Sequence, residues 1–310
     1  MKITQALAAI LLVSFAAPAQ AAAPACSETC LLDLATAYID GIGAADPSGV
    51  PLAKDFAQWE NGVSTTTHQG IWATGNGWTY RHTVADPVTG ETVTFGVVRD
   101  GDKPTMSVVH LWARGRTISK AELLVSHEGD FSLFNPGEPH DPAALFETFL
   151  PPDRRDTRET LRRTAKGYFD SLISSDRSKV HFHPDCNRTE NGIRTTNGRP
   201  GMTSCSDGVP RFAYMHAYRH MAFPVLDTAR GLAVVRVMFD LPLMDRTIMV
   251  HGKPVVMNAE HNHLPRSLYL FEMFRIEDGR IKRIEAVLRN EKLGAELPFG
   301  GESASGPPLP

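Results

Sequence analysis

Apolar positions along the chain change from helical spacing to strand spacing, and this change occurs twice. Residues 31–42 carry leucine, alanine, tyrosine and isoleucine at intervals of three and four, as in an amphipathic helix. Ser27 precedes the run as an N-cap, and Glu28 places an acid in the first turn. We therefore predict a helix that ends at the turn residues 46–49.

Strand-like segments follow this first helix. Each is short, apolar or alternating, and bounded by turn residues. They lie at 79–85, 92–99, 106–113 and 118–127.

The second half of the chain repeats this order. Thr157 and Glu159 form a cap signature before the helical pattern of 161–172. Strands are predicted at 232–239, 268–276 and 281–288. A second helix is predicted over 212–221, and an inserted loop, 240–266, is expected to hold a hairpin of 248–250 and 255–257.

The repeat is also visible in the residues themselves. Tyr38-x-Asp40 and Glu60-Asn61-Gly62 return at an offset of 130 as Tyr168-x-Asp170 and Glu190-Asn191-Gly192. Residues 31–66 share 13 identities in 36 positions with 161–196, where chance gives about two. The period is too long for a solenoid. We conclude that one α+β domain is duplicated, as residues 26–150 and 153–292.

Composition limits the protein's partners and location. A net charge of −3 over 310 residues offers no basic field for nucleic acid. Lys2, the apolar run 6–15 and Ala19-Gln20-Ala21 read as a signal peptide, 1–21, rather than a membrane anchor. We predict a secreted or periplasmic protein without a membrane span after cleavage, with a disordered tail at 300–310.

The four cysteines are expected to form disulfides, because an exported protein meets oxidising conditions. Three pairings are possible, and free thiols are the alternative. We favour Cys26–Cys30 together with Cys186–Cys205.

Together, the helix with Tyr-x-Asp, the Glu-Asn-Gly motif and the terminal strand hairpin resemble SnoaL-like proteins. The resemblance covers nearly all of residues 28–292, once per copy. It implies two tandem cone-shaped domains, each with N-terminal helices packed on a curved antiparallel sheet around an apolar pocket. It also implies a small-molecule ligand, and pairing through the open sheet face, either within the chain or as a homodimer.

Candidate chemistry centres on Tyr168 and Glu190. They resemble the ketosteroid isomerase pair, in which a tyrosine holds the oxyanion and an acid removes the proton. A carboxylate in a dry pocket is a competent base. The alternative is that Glu-Asn-Gly is a structural turn. The first-copy equivalents are Tyr38, Glu60 and Asn61.

Other polar residues of the second copy extend this set. His216 and His220 would share one face of the predicted helix and could exchange protons, although a solvated or core pair is the simpler interpretation. Residues expected to contact substrate are Asn191, Tyr214, Arg219 and Arg236. Arg236 could instead form an inward ion pair, and cross-strand ion pairing would account for Glu272 and Glu285.

No cofactor or metal is expected. The chain lacks the phosphate-loop, dinucleotide and zinc-helix motifs. Glu260-His261-Asn262-His263 could supply two ligands, but a third is not apparent. The second copy, which holds most histidines and the inserted loop, is expected to contain the working pocket.

These observations favour an exported lyase, isomerase or dehydratase that applies acid–base chemistry to a small apolar carbonyl or hydroxylated compound. The first alternative is a non-catalytic module for ligand binding or dimerisation. The second is hydrolysis of an epoxide or glycoside by two carboxylates.

Overall fold

The computed structural model describes residues 26–137, 143–197, 203–212, 214–242, 246–250, 253–257 and 265–306. The predicted signal peptide, 1–21, and the Glu260–His263 motif lie outside these residues. None of the helices formed by the described residues combines the length and the apolar composition needed to span a membrane.

The first half contains one long helix and a six-stranded sheet. Its helices are α1 (Glu28–Ala44), α2 (Ile71–Thr74) and α3 (Ala143–Glu147). Its strands are β1 (Leu52–Glu60), β2 (Val63–Thr65), β3 (Gly75–Asp86), β4 (Glu91–Asp100), β5 (Lys103–Arg114) and β6 (Thr117–Ser126). The four strands predicted from the alternating segments are confirmed as β3 to β6.

The second half is built in the same way. Its helices are α4 (Arg158–Ser174) and α5 (Cys205–Gly208). Short 3-10 helices lie at Pro152–Arg154, Arg177–Lys179 and Val209–Phe212. Its strands are β7 (Phe182–Glu190), β8 (Ile193–Arg194), β9 (Ala217–Asp227), β10 (Leu232–Leu241), β11 (Arg246–Val250), β12 (Lys253–Met257), β13 (Arg266–Glu277), β14 (Arg280–Lys292) and β15 (Glu302–Ser305).

The two sheets share one strand order. The first runs β2-β1-β6-β5-β4-β3, and the second runs β8-β7-β14-β13-β10-β9 with β15 added at the edge. Neighbouring strands are antiparallel except for β1 with β6 and β7 with β14, which are parallel. The chain therefore consists of two tandem cone-shaped α+β domains, as predicted, with one parallel strand pair in each sheet.

The long helices begin where the sequence predicts. The Ser27 side chain accepts a hydrogen bond from the Cys30 amide, and Thr157 accepts one from Thr160. Both helices end in a left-handed residue, Ala45 or Ser175. Satisfying the first amides in this way fixes the start of each helix, and thus the position of the tyrosine it carries.

Each Asn-Gly pair joins two neighbouring strands of its own sheet. Asn61 adopts a positive φ of 51°, and its side chain accepts from the Val125 amide at 2.8 Å and donates to the Val125 carbonyl at 3.1 Å. Asn191 makes the same pair of bonds with Leu288, at 2.9 and 2.8 Å. Asn191, predicted to contact substrate, therefore bridges two strands.

Residues 212–221 do not form the predicted helix. Residues Ala217–Asp227 are strand β9, hydrogen-bonded to β10 on one side and β15 on the other. Register shifts in the β9–β10 pairing, together with the positive φ of His220, interrupt the side-chain alternation. Tyr218 and Met221 are consequently both buried although they lie three residues apart, a spacing typical of a helix.

Residues of the tail and of the inserted loop form strands. Glu302–Ser305, predicted to be disordered, forms β15 against β9, whereas 307–310 lie outside the described residues. Within the loop, β11 and β12 form the predicted hairpin. Both favoured disulfides, Cys26–Cys30 and Cys186–Cys205, are present.

The two sheets pack against each other within the chain. One apolar cluster contains Phe95 and Val108 of the first sheet together with Phe271 and Val287 of the second. Within this contact Glu122 accepts hydrogen bonds from Arg236 at 3.0 Å and from the Tyr269 hydroxyl at 2.7 Å. The open faces of both cones are thereby buried.

Candidate functional site

A cavity of about 160 Å³ lies inside the second domain, between α4 and the sheet. Most of its wall is apolar, with side chains that include Leu172, Phe212, Phe239, Leu268, Leu270 and Leu288. Its polar lining includes Tyr168, Glu190, Tyr214, Arg266 and Glu272. A small apolar space with a few converging polar groups is typical of a ligand site.

Glu272 places a carboxyl group in this apolar wall. It follows Leu268 and Leu270 on the face of β13 that points into the domain, because side chains alternate along a strand. Its exposed fraction is 4%. Burial raises the pKa of Glu272 to about 8; the positive charge of Arg188 opposes this shift and the negative charge of Glu190 adds to it.

Arg188 organises the other polar groups from behind the cavity. Its Nε lies 2.8 Å from Glu190 Oε1, and its Nη1 donates to the Tyr168 hydroxyl at 3.4 Å. Its guanidinium also lies 4.5 Å from the ring centre of Phe212. Glu190 is therefore a paired carboxylate that faces the cavity.

The two tyrosines of the cavity remain neutral. Burial raises the pKa of Tyr168 well above 10, and the negative charge of Glu272 adds to this effect. Burial likewise raises the pKa of Tyr214 to about 12. Both hydroxyls are therefore hydrogen-bond donors at neutral pH.

The structure brings together Tyr168, Glu190 and Tyr214 but not the other predicted site residues. His216 and His220 belong to the β9 region and do not line the cavity. His220 contacts the Glu296 carboxylate at 2.7 Å and the Phe299 carbonyl at 2.9 Å.

The two arginines predicted to bind substrate form ion pairs. Arg219 is paired with Asp240 at 2.7 Å and with Glu296 at 2.6 Å. Arg236 is paired with Glu122 of the first domain. Both guanidinium groups lie outside the lining of the cavity, and Arg236 forms the inward ion pair given above as its alternative.

Sequence reasoning missed Glu272 and Arg188 as site residues. A glutamate on the interior face of an otherwise apolar strand was the available signal for Glu272. For Arg188 the signal was its place two residues before Glu190, since alternate residues of a strand share a face.

In the first domain the equivalent space is filled. The Trp72 indole donates to the Tyr38 hydroxyl at 2.9 Å, and the two rings meet edge to face with centres 4.9 Å apart. The Tyr38 hydroxyl donates to Gln58 at 2.6 Å. Gln58 occupies the position of Arg188 at the repeat offset.

The first-copy positions that correspond to Glu272 and Glu190 also differ from them in residue type or in contacts. Strand register pairs Glu60 with Leu123 and Leu123 with Val109, so Val109 occupies the position of Glu272. Glu60 accepts a hydrogen bond from the Ile71 amide at 2.9 Å and thus caps α2. The first copy therefore lacks the second copy's cluster of acids and arginine.

A family model described as Domain of unknown function (DUF8021) matches residues 25–123 and 154–288. The chain belongs to this family. No curated protein matches the sequence. Within the ranges described, no group of three or more histidine, cysteine, aspartate or glutamate residues could hold a metal ion.

Among solved structures, the chain is similar to AclR from Streptomyces galilaeus, with 11% identity, a TM-score of 0.31, and coverage of 43% of this chain and 91% of that one. AusH from Aspergillus nidulans has 13% identity and a TM-score of 0.28, with 43% and 85% covered. An LEH-like epoxide hydrolase from M. tuberculosis has 10% identity and a TM-score of 0.26, with 42% and 83% covered. The SnoaL-like cone fold is assigned from strand order and helix placement.

Proposed function

We propose that the second domain is an acid–base enzyme of the lyase, isomerase or dehydratase type, acting on a small, largely apolar carbonyl or hydroxylated compound. The observation that carries the proposal is Glu272, a buried carboxyl group whose pKa is raised to about 8 in the wall of an apolar cavity. Such a group is protonated at neutral pH and can donate a proton there.

Three side chains carry out the proton abstraction, the oxyanion binding and the proton donation. Glu190, ion-paired with Arg188, is the carboxylate that accepts a proton from a carbon next to the carbonyl. The Tyr168 hydroxyl donates a hydrogen bond to the developing oxyanion. Glu272 supplies a proton to a second substrate position or to a departing hydroxyl group.

Arg188 positions this arrangement rather than reacting. It holds Glu190 at 2.8 Å and contacts the Tyr168 hydroxyl at 3.4 Å, so the two groups keep a fixed relation to each other. Reachable acids in the cavity favour an enzyme over a module that only stores an apolar ligand. Two acids of different environment also fit the usual division between acid and base.

The place of action is proposed to be outside the cytoplasm. Two disulfides suit an oxidising compartment, and the first 21 residues have the pattern of a signal peptide. Secretion or transfer to a periplasm would satisfy both observations.

The test follows proton transfer with simple probes. Exchange of the α-hydrogens of cyclohexanone in deuterium oxide is measured by NMR, and dehydration of 3-hydroxycyclohexanone is measured by absorbance of the enone. Glu190→Gln is expected to reduce both rates by about 10²-fold or more. Glu272→Gln should mainly slow dehydration, because the departing hydroxyl needs the proton.

Glu159→Gln, an exposed change in the same domain, is the control and should leave both rates unchanged. The dehydration rate of the wild type should decline above about pH 8, where Glu272 loses its proton. Rates that are insensitive to both Glu190→Gln and Glu272→Gln would exclude this mechanism.

A further inference from the structure

We infer that residues 127–135, which follow the first sheet and are called here the bridging segment, select the substrate of the second-domain cavity. The substrate class is a single ring with a side chain that passes Phe131 and ends in a hydrogen-bond donor. This inference rests on the proposed function in taking the cavity as the place where a small organic substrate binds.

Phe131 and Ser132 stand between two spaces. Both residues line the inner cavity of about 160 Å³, and both line an outer groove of about 720 Å³. Arg266 is also shared by the two spaces. Because the same side chains border both, a ligand in the inner cavity has a continuation into the groove at Phe131.

The bridging segment is fastened to the second domain on both sides of Phe131. The Asn290 amide donates to the Asp130 carbonyl at 3.0 Å, and Arg289 Nη1 lies 3.4 Å from Asp130 Oδ2. Beyond Phe131, the Asn135 amide donates to the Asn191 carbonyl at 2.9 Å. Phe131 also packs against the second domain's apolar core. It is therefore a fixed part of the wall.

Size sets the part of the substrate that fits inside. A cavity of about 150 Å³ in a protein interior accommodates benzene, and the inner cavity here is of similar volume. One six-membered ring therefore fills the space beside Tyr168 and Glu272. Further substrate atoms must extend past Phe131 into the groove.

The groove determines which chemical group can end the substrate's side chain. Asn290 lines it, and the Asn290 side-chain oxygen is buried with no donor within reach among the described residues. A buried acceptor without a partner is costly, and rotation of the Asn290 side chain toward the groove would let a ligand hydroxyl satisfy it. A hydroxyl-terminated chain thus matches the groove better than an alkyl chain.

The experiment measures binding without turnover, by calorimetry, using phenol, 4-propylphenol and 4-(3-hydroxypropyl)phenol. Each buried methylene is expected to tighten binding about fourfold, so 4-propylphenol should bind the wild type more than tenfold tighter than phenol. Phe131→Ala should reduce this preference about tenfold, whereas Phe131→Leu should keep most of it. Asn290→Ala should remove only the preference for the hydroxyl-terminated chain.

Phe149→Ala is the matched control, since Phe149 is 56% exposed and lines neither space. An equal affinity for phenol and 4-propylphenol in the wild type, or a preference unaffected by Phe131→Ala, would overturn the inference. These results are separate from those of the proton-transfer test. The preference for 4-propylphenol could depend on Phe131 while the proton-transfer rates are unchanged by Glu190→Gln and Glu272→Gln. That result would support the inference and refute the proposed function.

Discussion

Replacing Glu272 by glutamine should make the stability of the protein less sensitive to alkaline pH. The pKa of Glu272 is raised from 4.5 to about 8 in the folded state, mainly by burial. Between these values the folded protein binds a proton that the unfolded chain has released. Stability therefore falls as pH rises through this window, by about 1.4 kcal/mol per pH unit and by about 5 kcal/mol in all.

Urea unfolding from pH 5 to pH 9 measures this effect. At pH 5 wild type and Glu272→Gln should have similar free energies of unfolding, because both carry a neutral side chain at 272 when folded. The wild type should then lose about 4 kcal/mol relative to the variant between pH 5 and pH 8, and the difference should become constant above the pKa of Glu272. Exposed Glu159→Gln should follow the wild type. Parallel curves for wild type and Glu272→Gln would refute the assignment of a raised pKa.

Three further predictions concern stability, each measured by urea unfolding. Trp72→Ala should lower the free energy of unfolding by about 3–5 kcal/mol, because it leaves a cavity beside Tyr38. Added indole should restore part of this loss, and no response to indole would argue against a cavity. Arg236→Met should cost about 3 kcal/mol, because buried Glu122 then keeps only His110, at 3.0 Å, and the Tyr269 hydroxyl as partners. Adding Glu122→Gln should recover part of the loss, and additive losses would contradict this coupling. Replacing Cys186 and Cys205 by serine should cost about 3 kcal/mol, more than the same change at Cys26 and Cys30, because the closed loop is longer, at 19 against 4 residues; equal losses would count against the loop argument.

Much of the fold could be predicted because the residues that specify it act locally. Ser27 and Thr157 cap the helices that follow them, and Asn61 and Asn191 take up left-handed turns that suit asparagine. These signals recur at the same offset, so each copy supports the prediction made for the other. The repeated Asn-Gly proved to join neighbouring strands, which explains its presence in both domains.

The site was less predictable because its contacts join distant parts of the chain. Glu272 resembles any charged residue of a strand until Arg188 and Tyr168 are placed beside it. Arg236 likewise meets Glu122 across the contact between the sheets, 114 residues away. The helix predicted over residues 212–221 is wrong because register shifts in the β9–β10 pairing place buried side chains at helical spacing.

The packing of the two sheets within one chain has a consequence when the protein is diluted. Association of two separate domains would depend on their concentration. Two domains on one chain have a fixed, high effective concentration relative to each other. The contact that buries Phe95 against Phe271 therefore persists however far the protein is diluted. The first copy, in which Trp72 packs against Tyr38, therefore stays attached to the second at any protein concentration.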